Sequence, residues 1–363
     1  MRRRWIATAA LIAAACAGEP RGPCDPNPPI GELGSICGLR NPEDVEAIPS
    51  LGILVVSQMQ HQDGPGGGSL ALIDLGEANP TPRLLWPTKT IERSAGRPLT
   101  PPFDPDCANP PNAGFAPHGI TAAVGRSGGV TLAVVAHGAR EAIEFFELSG
   151  RGAGVAARWV GCIRLPPDSV GNDVVFGVGG AVLVSNFQPA WRGLAAAYYA
   201  VVAGLGGVTG DLLEKRPGEP WRRLAATGGP NPNGLLQSPG GGRVFFAQTG
   251  SGEISAVSTD AAASERRDIT IGGHPDNLAW SARGTILAIT HTDGLALLPC
   301  VFGRRPCRTG WSLFEIDPQS LQALELLHHD GGEIGAVASI AEIGGRYYFG
   351  AVYGDRIGVW TPP

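Results

Sequence analysis

The sequence has very few lysines and no long hydrophobic run. Only Lys89 and Lys215 are lysines among 363 residues, and the formal net charge is −5. No basic stripe occurs beyond the arginines at residues 2–4, so we expect no nucleic-acid partner. The seven cysteines include no C-x-x-C pair, which argues against a structural zinc site, and no glycine-rich phosphate loop with its lysine is present.

Glycine and proline, by contrast, are abundant. The chain contains 54 glycines and 32 prolines, and 43% of its residues are hydrophobic. This composition is too hydrophobic for a disordered chain and too rich in glycine and proline for a helical bundle. Short runs of Val, Ile, Leu, Phe and Tyr, broken by Gly, Asn, Asp and Pro, predict many short strands in one all-β domain.

One hairpin design recurs along the chain. A polar residue is followed by an apolar strand, a glycine-containing turn and a second apolar strand. Five segments open in this way at Glu43, His118, Asn172, Asn233 and Asp276, and a sixth keeps the strands but opens with Val337. Repeated hairpins arranged around an axis are typical of β-propellers, so we predict a six-bladed β-propeller over residues 41–363.

The N-terminus predicts export from a bacterial cell. Residues 1–15 combine three arginines with an apolar run that is too short to span a bilayer comfortably, which is typical of a signal peptide. The sequence AAAC at residues 13–16 is similar to a lipobox, which would leave Cys16 lipidated in the cell envelope. The alternative is ordinary cleavage after Ala15, giving a periplasmic or secreted protein. Residues 16–40 are a Pro/Gly-rich tether.

The cysteine count agrees with export. Once Cys16 is set aside, six cysteines remain, an even number that suits disulfides in an oxidising compartment. The safest predicted pair is Cys300–Cys307, which brackets a short loop. The other predicted pairs are Cys107–Cys162 and Cys24–Cys37.

The opening residues of the hairpins form a candidate calcium site. If each lies at the same end of an inner strand, they meet near the axis of the ring. Carboxylate and amide oxygens are ligands that Ca²⁺ prefers, and two of the predicted ligands are anionic. These ligands are Glu43, Asn172, Asn233, Asp276 and Asn277. Asp44 and Asp173 follow two of them and, because neighbouring strand residues point to opposite sides, are predicted to hold a second, deeper ion.

Two histidines are candidate catalytic residues. The imidazole of His118 titrates near neutral pH and can deprotonate a water, while His137 can orient it or raise its basicity. A bound metal can polarise an ester carbonyl. A metal-activated water assisted by Glu43 or Asp276 is an alternative within the same site.

At these positions the chain resembles the paraoxonase family of calcium-dependent lactonases and arylesterases. The matching motifs are residues 42–49, 115–120, 135–137, 172–173, 233–234 and 276–277, in the family's order. The resemblance implies that Glu43 binds the catalytic calcium, whereas Asp44 and the carbonyl of Ile120 bind the structural calcium. It also implies that His118 is the base, His137 its partner and His291 a pocket residue.

The chain departs from this family in two respects. Residues 187–210, which would shape the pocket, are divergent, and the disulfide that closes the ring is missing. The family closes its ring with a disulfide to a cysteine near the C-terminus, whereas this chain has no cysteine after Cys307. Ring closure must therefore depend on strand pairing alone. The resemblance extends more loosely to the gluconolactonase and senescence-marker propellers.

Three further segments need an interpretation. Residues 187–210 are apolar and helix-prone, and form a lid over the pocket, a surface seated on lipid, or a helix packed on the propeller. The G-x-S-x-G pattern at residues 125–129 is expected to be a hairpin turn, because a strand follows it rather than a helix. His328 and His329 are expected to face solvent.

The sequence therefore predicts a monomeric, exported, calcium-dependent hydrolase of small-molecule lactones or aryl esters. Membrane contact is expected only through the lipid anchor or residues 187–210. Two alternatives remain open. One is a gluconolactonase-like sugar lactonase that uses zinc or manganese, and the other is a non-catalytic propeller that binds a partner and is stabilised by calcium.

Overall fold

The structure is a computed structural model. It describes residues 22–59, 67–88, 103–111, 114–138, 140–189, 193–259, 265–294, 296–297, 300, 306 and 308–363. The predicted signal peptide, Cys16 and Cys307 lie outside the described residues.

The described residues form six antiparallel sheets of four strands each, which confirms the predicted all-β, six-bladed propeller. The first three blades, from the inner strand outwards, are β2 (Pro42–Ile48), β3 (Ile53–Gln58), β4 (Ser69–Asp74) and β5 (Arg83–Trp86); β6 (Phe115–Val124), β7 (Val130–Gly138), β8 (Ala142–Ser149) and β9 (Ala156–Arg164); and β10 (Val170–Phe176), β11 (Val182–Gln188), β12 (Asp211–Lys215) and β13 (Arg222–Arg223). The last three are β14 (Pro232–Gln237), β15 (Arg243–Gln248), β16 (Glu253–Ser258) and β17 (Arg266–Thr270); β18 (His274–Trp280), β19 (Ile286–His291), β20 (Trp311–Ile316) and β21 (Ala323–His329); and β22 (Val337–Ile343), β23 (Arg346–Ala351), β24 (Arg356–Trp360) and β1 (Leu33–Cys37).

The N-terminal strand closes the ring. β1 pairs with β24 in antiparallel register, so that Leu33 lies opposite Trp360 and Cys37 opposite Arg356. The closure is therefore made by strand pairing, and residues 33–37, which the sequence analysis assigns to the tether, belong to the sixth blade. A disulfide between Cys24 and Cys37 fixes the end of this strand, as predicted.

The hydrophobic core lies between the blades. Successive side chains of β3 alternate between two of these cores, as the period of a strand requires. Ile53 and Val55 pack towards the second blade, whereas Leu54 and Val56 pack towards the sixth. Because both faces of β3 are covered, the strand is a continuous apolar run rather than an alternating one.

Each inner strand carries a bulge near its start, where the residue pairing with the second strand shifts. The shifts lie between Pro42 and Asp44, Pro117 and Ile120, Gly171 and Val174, Pro232 and Leu235, Pro275 and Leu278, and Val337 and Ser339. A bulge places extra residues opposite the partner strand and re-aims their side chains. In five blades, the bulge contains the polar residue that opens the hairpin.

We call the end of the ring that carries these bulges the site face. Two further features lie at this end. The helix α1 (Gly193–Gly204) follows Gln188, whose partner Val170 begins the inner strand β10. The loop at residues 103–111 is tied to β9 by a disulfide between Cys107 and Cys162, as predicted.

Cys300 also takes part in a disulfide, but its predicted partner Cys307 lies outside the described residues. Among the described helices, none is long and apolar enough to cross a bilayer.

Candidate functional site

Polar side chains from separate blades meet near the ring axis. The Nδ2 atom of Asn277, in the fifth blade, lies 3.4 Å from Oε1 of Glu43 in the first blade. The same oxygen lies 3.4 Å from Nε2 of His118 in the second blade. The first and fifth blades are not neighbours, because the sixth lies between them, so their side chains can meet only near the centre.

Glycines allow the inner strands to approach one another closely at this level. A Cβ atom on Gly119 would lie 2.6 Å from the backbone oxygen of Asn172 in the third blade. A Cβ atom on Gly234 would collide with Cα of Asn277 in the fifth. A side chain at either position would push two inner strands apart, so these glycines set the spacing between the predicted ligands.

The five predicted ligands of the catalytic ion are all buried, and four of their oxygens have no hydrogen-bond partner. Within the part of the chain that the structure describes, these atoms are Oε2 of Glu43 and the Oδ1 atoms of Asn172, Asn233 and Asn277. An unsatisfied buried acceptor costs about 1–3 kcal/mol. A hard divalent cation satisfies oxygens of this kind, so the donor set fits Ca²⁺.

Hydrogen bonds fix the amide and carboxylate orientations. Nδ2 of Asn233 donates to Oγ1 of Thr249 at 3.1 Å, and Nδ2 of Asn277 faces Glu43, which leaves the two Oδ1 atoms as the unsatisfied ends. The fifth predicted ligand, Asp276, has its Oδ2 atom 2.9 Å from Nε2 of His291. His291 therefore supports a ligand, and the resemblance had placed it in the pocket.

The predicted deeper ligands, Asp44 and Asp173, link neighbouring blades. Asp44 accepts a hydrogen bond from the backbone N–H of Ile120 at 2.7 Å, and Asp173 accepts one from Leu235 at 2.8 Å. Burial, followed by the charges of Glu43 and Asp173, raises the pKa of Asp44 well above its usual value. Burial is also the main cause that raises the pKa of Asp173 to about 7. Buried carboxylates that raise each other's pKa values are stabilised by a bound cation, so Asp44 and Asp173 fit the predicted second ion.

Glu46, for which the sequence predicts no role, belongs to the same cluster. Its Oε1 atom accepts a hydrogen bond from the backbone N–H of Ala122 at 2.8 Å. Burial, together with the charge of Asp173, raises its pKa to about 8. Glu46 follows Asp44 by two residues on β2, so strand periodicity was the available signal.

The two predicted catalytic histidines form a buried pair. Nδ1 of His118 lies 3.0 Å from Nε2 of His137, and Nδ1 of His137 lies 2.7 Å from Oε2 of Glu141. Burial lowers the pKa of His118, but the charge of Glu43, the hydrogen bond to it and the charge of Asp276 outweigh burial and raise it. The structure thus places a candidate base directly beside the predicted metal ligand Glu43.

The rejected motifs lie away from this centre. Residues 125–129 form the turn between β6 and β7, so Ser127 is not followed by the helix of a serine hydrolase elbow. His329 lies on an outer strand, with Nε2 2.8 Å from Glu333 and Nδ1 accepting the N–H of Gly331. The side chain of His329 is only 15% exposed and stacks on Trp311, so the expectation that it faces solvent is wrong, whereas the side chain of His328 is 64% exposed. His329, Asp330 and Glu333 lie close together.

Comparison with known proteins identifies the fold. No family model and no curated protein matches the sequence. The structure is similar to a gluconolactonase of Xanthomonas campestris, with 17% identity, a TM-score of 0.52, and coverage of 91% of this chain and 89% of that chain. This likeness agrees with a six-bladed β-propeller fold for the chain.

Two other structures with this fold are also similar. A luciferin-regenerating enzyme shares 13% identity, with a TM-score of 0.54 and coverage of 91% of this chain and 95% of that chain. The PQQ-bound aldose sugar dehydrogenase of Streptomyces coelicolor shares 15% identity, with a TM-score of 0.51 and coverage of 92% and 98%. Because the named activities differ, the function must be argued from the site.

Proposed function

We propose that the chain is a calcium-dependent hydrolase of lactones or aryl esters, similar in its site to the paraoxonase family. The observation that carries this proposal is the group of four unsatisfied buried oxygens, contributed by four blades, beside a buried histidine pair. Protein groups among the described residues do not satisfy these oxygens, whereas a divalent cation binds several carboxylate and amide oxygens at once.

Five side chains would hold the catalytic ion: Glu43, Asn172, Asn233, Asp276 and Asn277. When bound, calcium polarises the carbonyl group of the substrate and offsets the negative charge that develops on its oxygen. Asp44, Asp173 and the carbonyl of Ile120 would hold a second, structural ion.

The protein's own part in the reaction is proton transfer and orientation. His118 takes a proton from the attacking water at Nε2, the ring nitrogen nearest to Glu43. His137 holds the His118 ring through the hydrogen bond at Nδ1. The substrate is a small molecule, and we propose that the enzyme acts as a monomer.

The test is a hydrolysis assay with a panel of lactones and aryl esters, with and without a calcium chelator. We expect turnover that the chelator abolishes and calcium restores. Asp276→Ala should lower kcat/KM by more than about 100-fold, because it removes a charged ligand beside the reacting carbonyl. Asp106→Ala is the matched control, since this aspartate is 77% exposed and lies in the loop at residues 103–111.

Two results would contradict the proposal. Full activity in Asp276→Ala would show that the metal takes no part in the reaction. Calcium-dependent melting without hydrolysis of any substrate would instead support the non-catalytic, partner-binding propeller.

A sugar lactonase is the second candidate, and the fold shared with the Xanthomonas campestris gluconolactonase favours it. In that case the proposed site is unchanged, but the substrate is a sugar lactone and the metal is zinc or manganese. A metal-exchange series across sugar and aliphatic lactones separates the two. Highest activity with zinc or manganese on a sugar lactone would favour this second candidate.

We also propose that the protein is exported and that Cys16 is lipidated in a bacterial cell envelope. The two disulfides described here support an oxidising compartment. Cys16→Ala should move the protein from the membrane fraction to the soluble fraction after cell lysis. Mass spectrometry of the mature N-terminus distinguishes a lipidated cysteine from ordinary signal cleavage.

A further inference from the structure

The carboxylate of Glu141 is the third member of the histidine pair. Its Oε2 atom lies 2.7 Å from Nδ1 of His137, whose other ring nitrogen faces His118. The side chain of His137 is 1% exposed, whereas that of Glu141 is 31% exposed. The three groups therefore form a line from the buried site to the protein surface.

The hydrogen bonds fix the ring protons when both imidazoles are neutral. An ionised carboxylate only accepts hydrogen bonds, so Nδ1 of His137 must carry the proton that points to Glu141. Nε2 of His137 then has a lone pair, which accepts the Nδ1 proton of His118. Nε2 of His118 is then left without a proton, because its contact with the carboxylate of Glu43, at 3.4 Å, is longer than the 2.7 Å contact between His137 and Glu141. When His118 is protonated, Nε2 also carries a proton and donates it to Glu43. Each tautomer is thus set by the next group along the line.

We infer that Glu141 is a positioning residue for catalysis: its carboxylate fixes the tautomer and orientation of His137 and, through it, of His118. This inference rests on the proposed hydrolase function. Glu141 does not contact the predicted metal ligands in the described structure, so it acts only through His137. Mutation of the carboxylates that orient metal-ligating histidines typically lowers metal affinity or activity by about 10–100-fold, and we expect an effect of the same order on this histidine pair.

The turn that carries Glu141 is fixed by its neighbours. Gly138 has φ = 100°, and a Cβ atom there would collide with the backbone oxygen of Gly114, so the turn between β7 and β8 needs glycine at this position. The guanidinium of Arg140 binds both carboxylate oxygens of the buried Glu144, at 2.7 and 2.9 Å. Arg140 therefore pairs with Glu144 rather than with Glu141. The carboxylate of Glu141 contacts His137 instead.

The test compares three variants of the full-length, calcium-loaded protein. Glu141→Gln keeps the size of the side chain but replaces the carboxylate by an amide, which can either donate or accept. Glu141→Asp keeps a carboxylate that reaches His137 through a bridging water. Glu147→Gln is the matched control, because this glutamate lies on β8, is 49% exposed and pairs with Arg158.

Two readouts are needed. The first is kcat and KM for the best lactone substrate. We expect Glu141→Gln to lower kcat by about 10–100-fold with KM unchanged, and Glu141→Asp to recover kcat to within about threefold of the parent. The second is ¹⁵N NMR of the His137 ring, which reports the protonated nitrogen. It should show one Nδ1–H tautomer in the parent, Glu141→Asp and Glu147→Gln, and a mixture in Glu141→Gln.

The NMR readout does not depend on hydrolysis, so it separates this inference from the proposed function. If the parent hydrolyses no substrate, the hydrolase proposal is wrong, while the His137 signals still decide whether Glu141 sets the tautomer. An Nε2–H tautomer of His137 in the parent would overturn the inference. An unchanged His137 spectrum in Glu141→Gln would overturn it as well, whatever the activity.

Discussion

Several buried carboxylates lie close together near the axis, and this concentration of negative charge dominates the site at the scale of single residues. Glu43, Asp44, Asp173 and Asp276 are all buried, and the charges of Glu43 and Asp173 both raise the pKa of Asp44. A buried charge is strongly unfavourable unless it is paired or bound to a metal. Without a cation, the cluster must instead take up protons.

This charge imbalance predicts how the stability of the metal-free protein depends on pH. The folded-state pKa values of Asp173 and Glu46 are raised to about 7 and about 8, from ordinary values of 3.8 and 4.5. Between the ordinary and raised values, the folded protein binds more protons than the unfolded chain, so the free energy of unfolding falls as pH rises. We expect the melting temperature of the chelator-treated protein to fall steadily between about pH 4 and about pH 8.

Two controls sharpen this measurement. Glu46→Gln should reduce the fall in melting temperature, because the proton that Glu46 binds in the folded protein is removed. Saturating calcium should also reduce it, because bound cations take the place of those protons. A melting temperature that rises with pH over this range in the metal-free protein would contradict the assigned pKa directions.

At the residue scale, the sequence predicted the candidate ligands but not their partners. Glu43, Asn172, Asn233 and Asp276 open their hairpins, so the repeat revealed them. Glu141 follows the second strand of its blade and reaches His137 only because of the turn at Gly138. No repeat of residue types marks such a contact, since it depends on the backbone path of one turn.

The bulge in each inner strand is the central feature at the scale of elements. Simple strand alternation predicts that the side chains of Asp44 and Asp173 point away from those of the residues before them. The bulges interrupt that alternation at these positions, because extra residues lie opposite the partner strand. The backbone N–H groups of Asp44 and Asp173 are satisfied by Ser57 and Ser185 on the second strands.

The close approach of the inner strands gives a second prediction. Gly234→Ala should lower the free energy of unfolding by about 1–3 kcal/mol, because its Cβ atom would overlap Cα of Asn277 and force the strands apart. It should also weaken calcium binding, because Asn233 and Asn277 are predicted ligands. Chemical denaturation and calorimetry measure the two effects.

Gly240→Ala is the matched control for this substitution. Gly240 lies in the same hairpin and has no atom within 4 Å of its would-be Cβ. The unfolding free energy of that variant should be unchanged or slightly higher. Equal stability and calcium affinity in Gly234→Ala and the parent would contradict the predicted spacing.

The helix α1 leaves large apolar side chains exposed on the site face. Leu194 is 91% exposed and Tyr198 is 63% exposed, and residues 193–210 contain no charged residue. We predict that this surface contacts lipid. The double substitution Leu194→Ser and Tyr198→Ser should weaken binding to uncharged phospholipid vesicles and change the unfolding free energy by no more than about 0.5 kcal/mol.

The control for the helix lies at the opposite end of the ring. Val124, at the end of β6, is 56% exposed, and Val124→Ser should leave vesicle binding unchanged. Unaltered vesicle binding with a raised KM in the helix variant would show that α1 acts as a lid rather than as a lipid contact.

At the scale of the whole molecule, the fold combines ring closure by β1 with disulfides at the outermost strands of two blades. Six hairpin signals in the sequence were enough to predict the number of blades. The origin of the closing strand was not predicted, because residues 33–37 lie in a Pro/Gly-rich stretch and pair with a strand more than 300 residues away. Such long-range pairing leaves no local pattern.

The disulfide between Cys107 and Cys162 should stabilise the ring without affecting the predicted calcium site. Its cysteines are 55 residues apart. Closing a loop of this length lowers the conformational entropy of the unfolded chain by an amount equivalent to about 4 kcal/mol. Replacing both by serine should lower the free energy of unfolding by about 2–4 kcal/mol. Calcium affinity of the folded variant should be unchanged, and a large loss of affinity would contradict the assignment of this disulfide to scaffold support.

The central claim is that oxygens from separate blades bind divalent cations near the ring axis. Calorimetric titration of the metal-free protein with Ca²⁺ at neutral pH tests it most directly. We predict two bound ions per chain in the parent and one in Glu43→Gln, which loses an anionic ligand of the catalytic ion. Absence of calcium binding in the folded parent protein, or full binding in Glu43→Gln, would contradict the account.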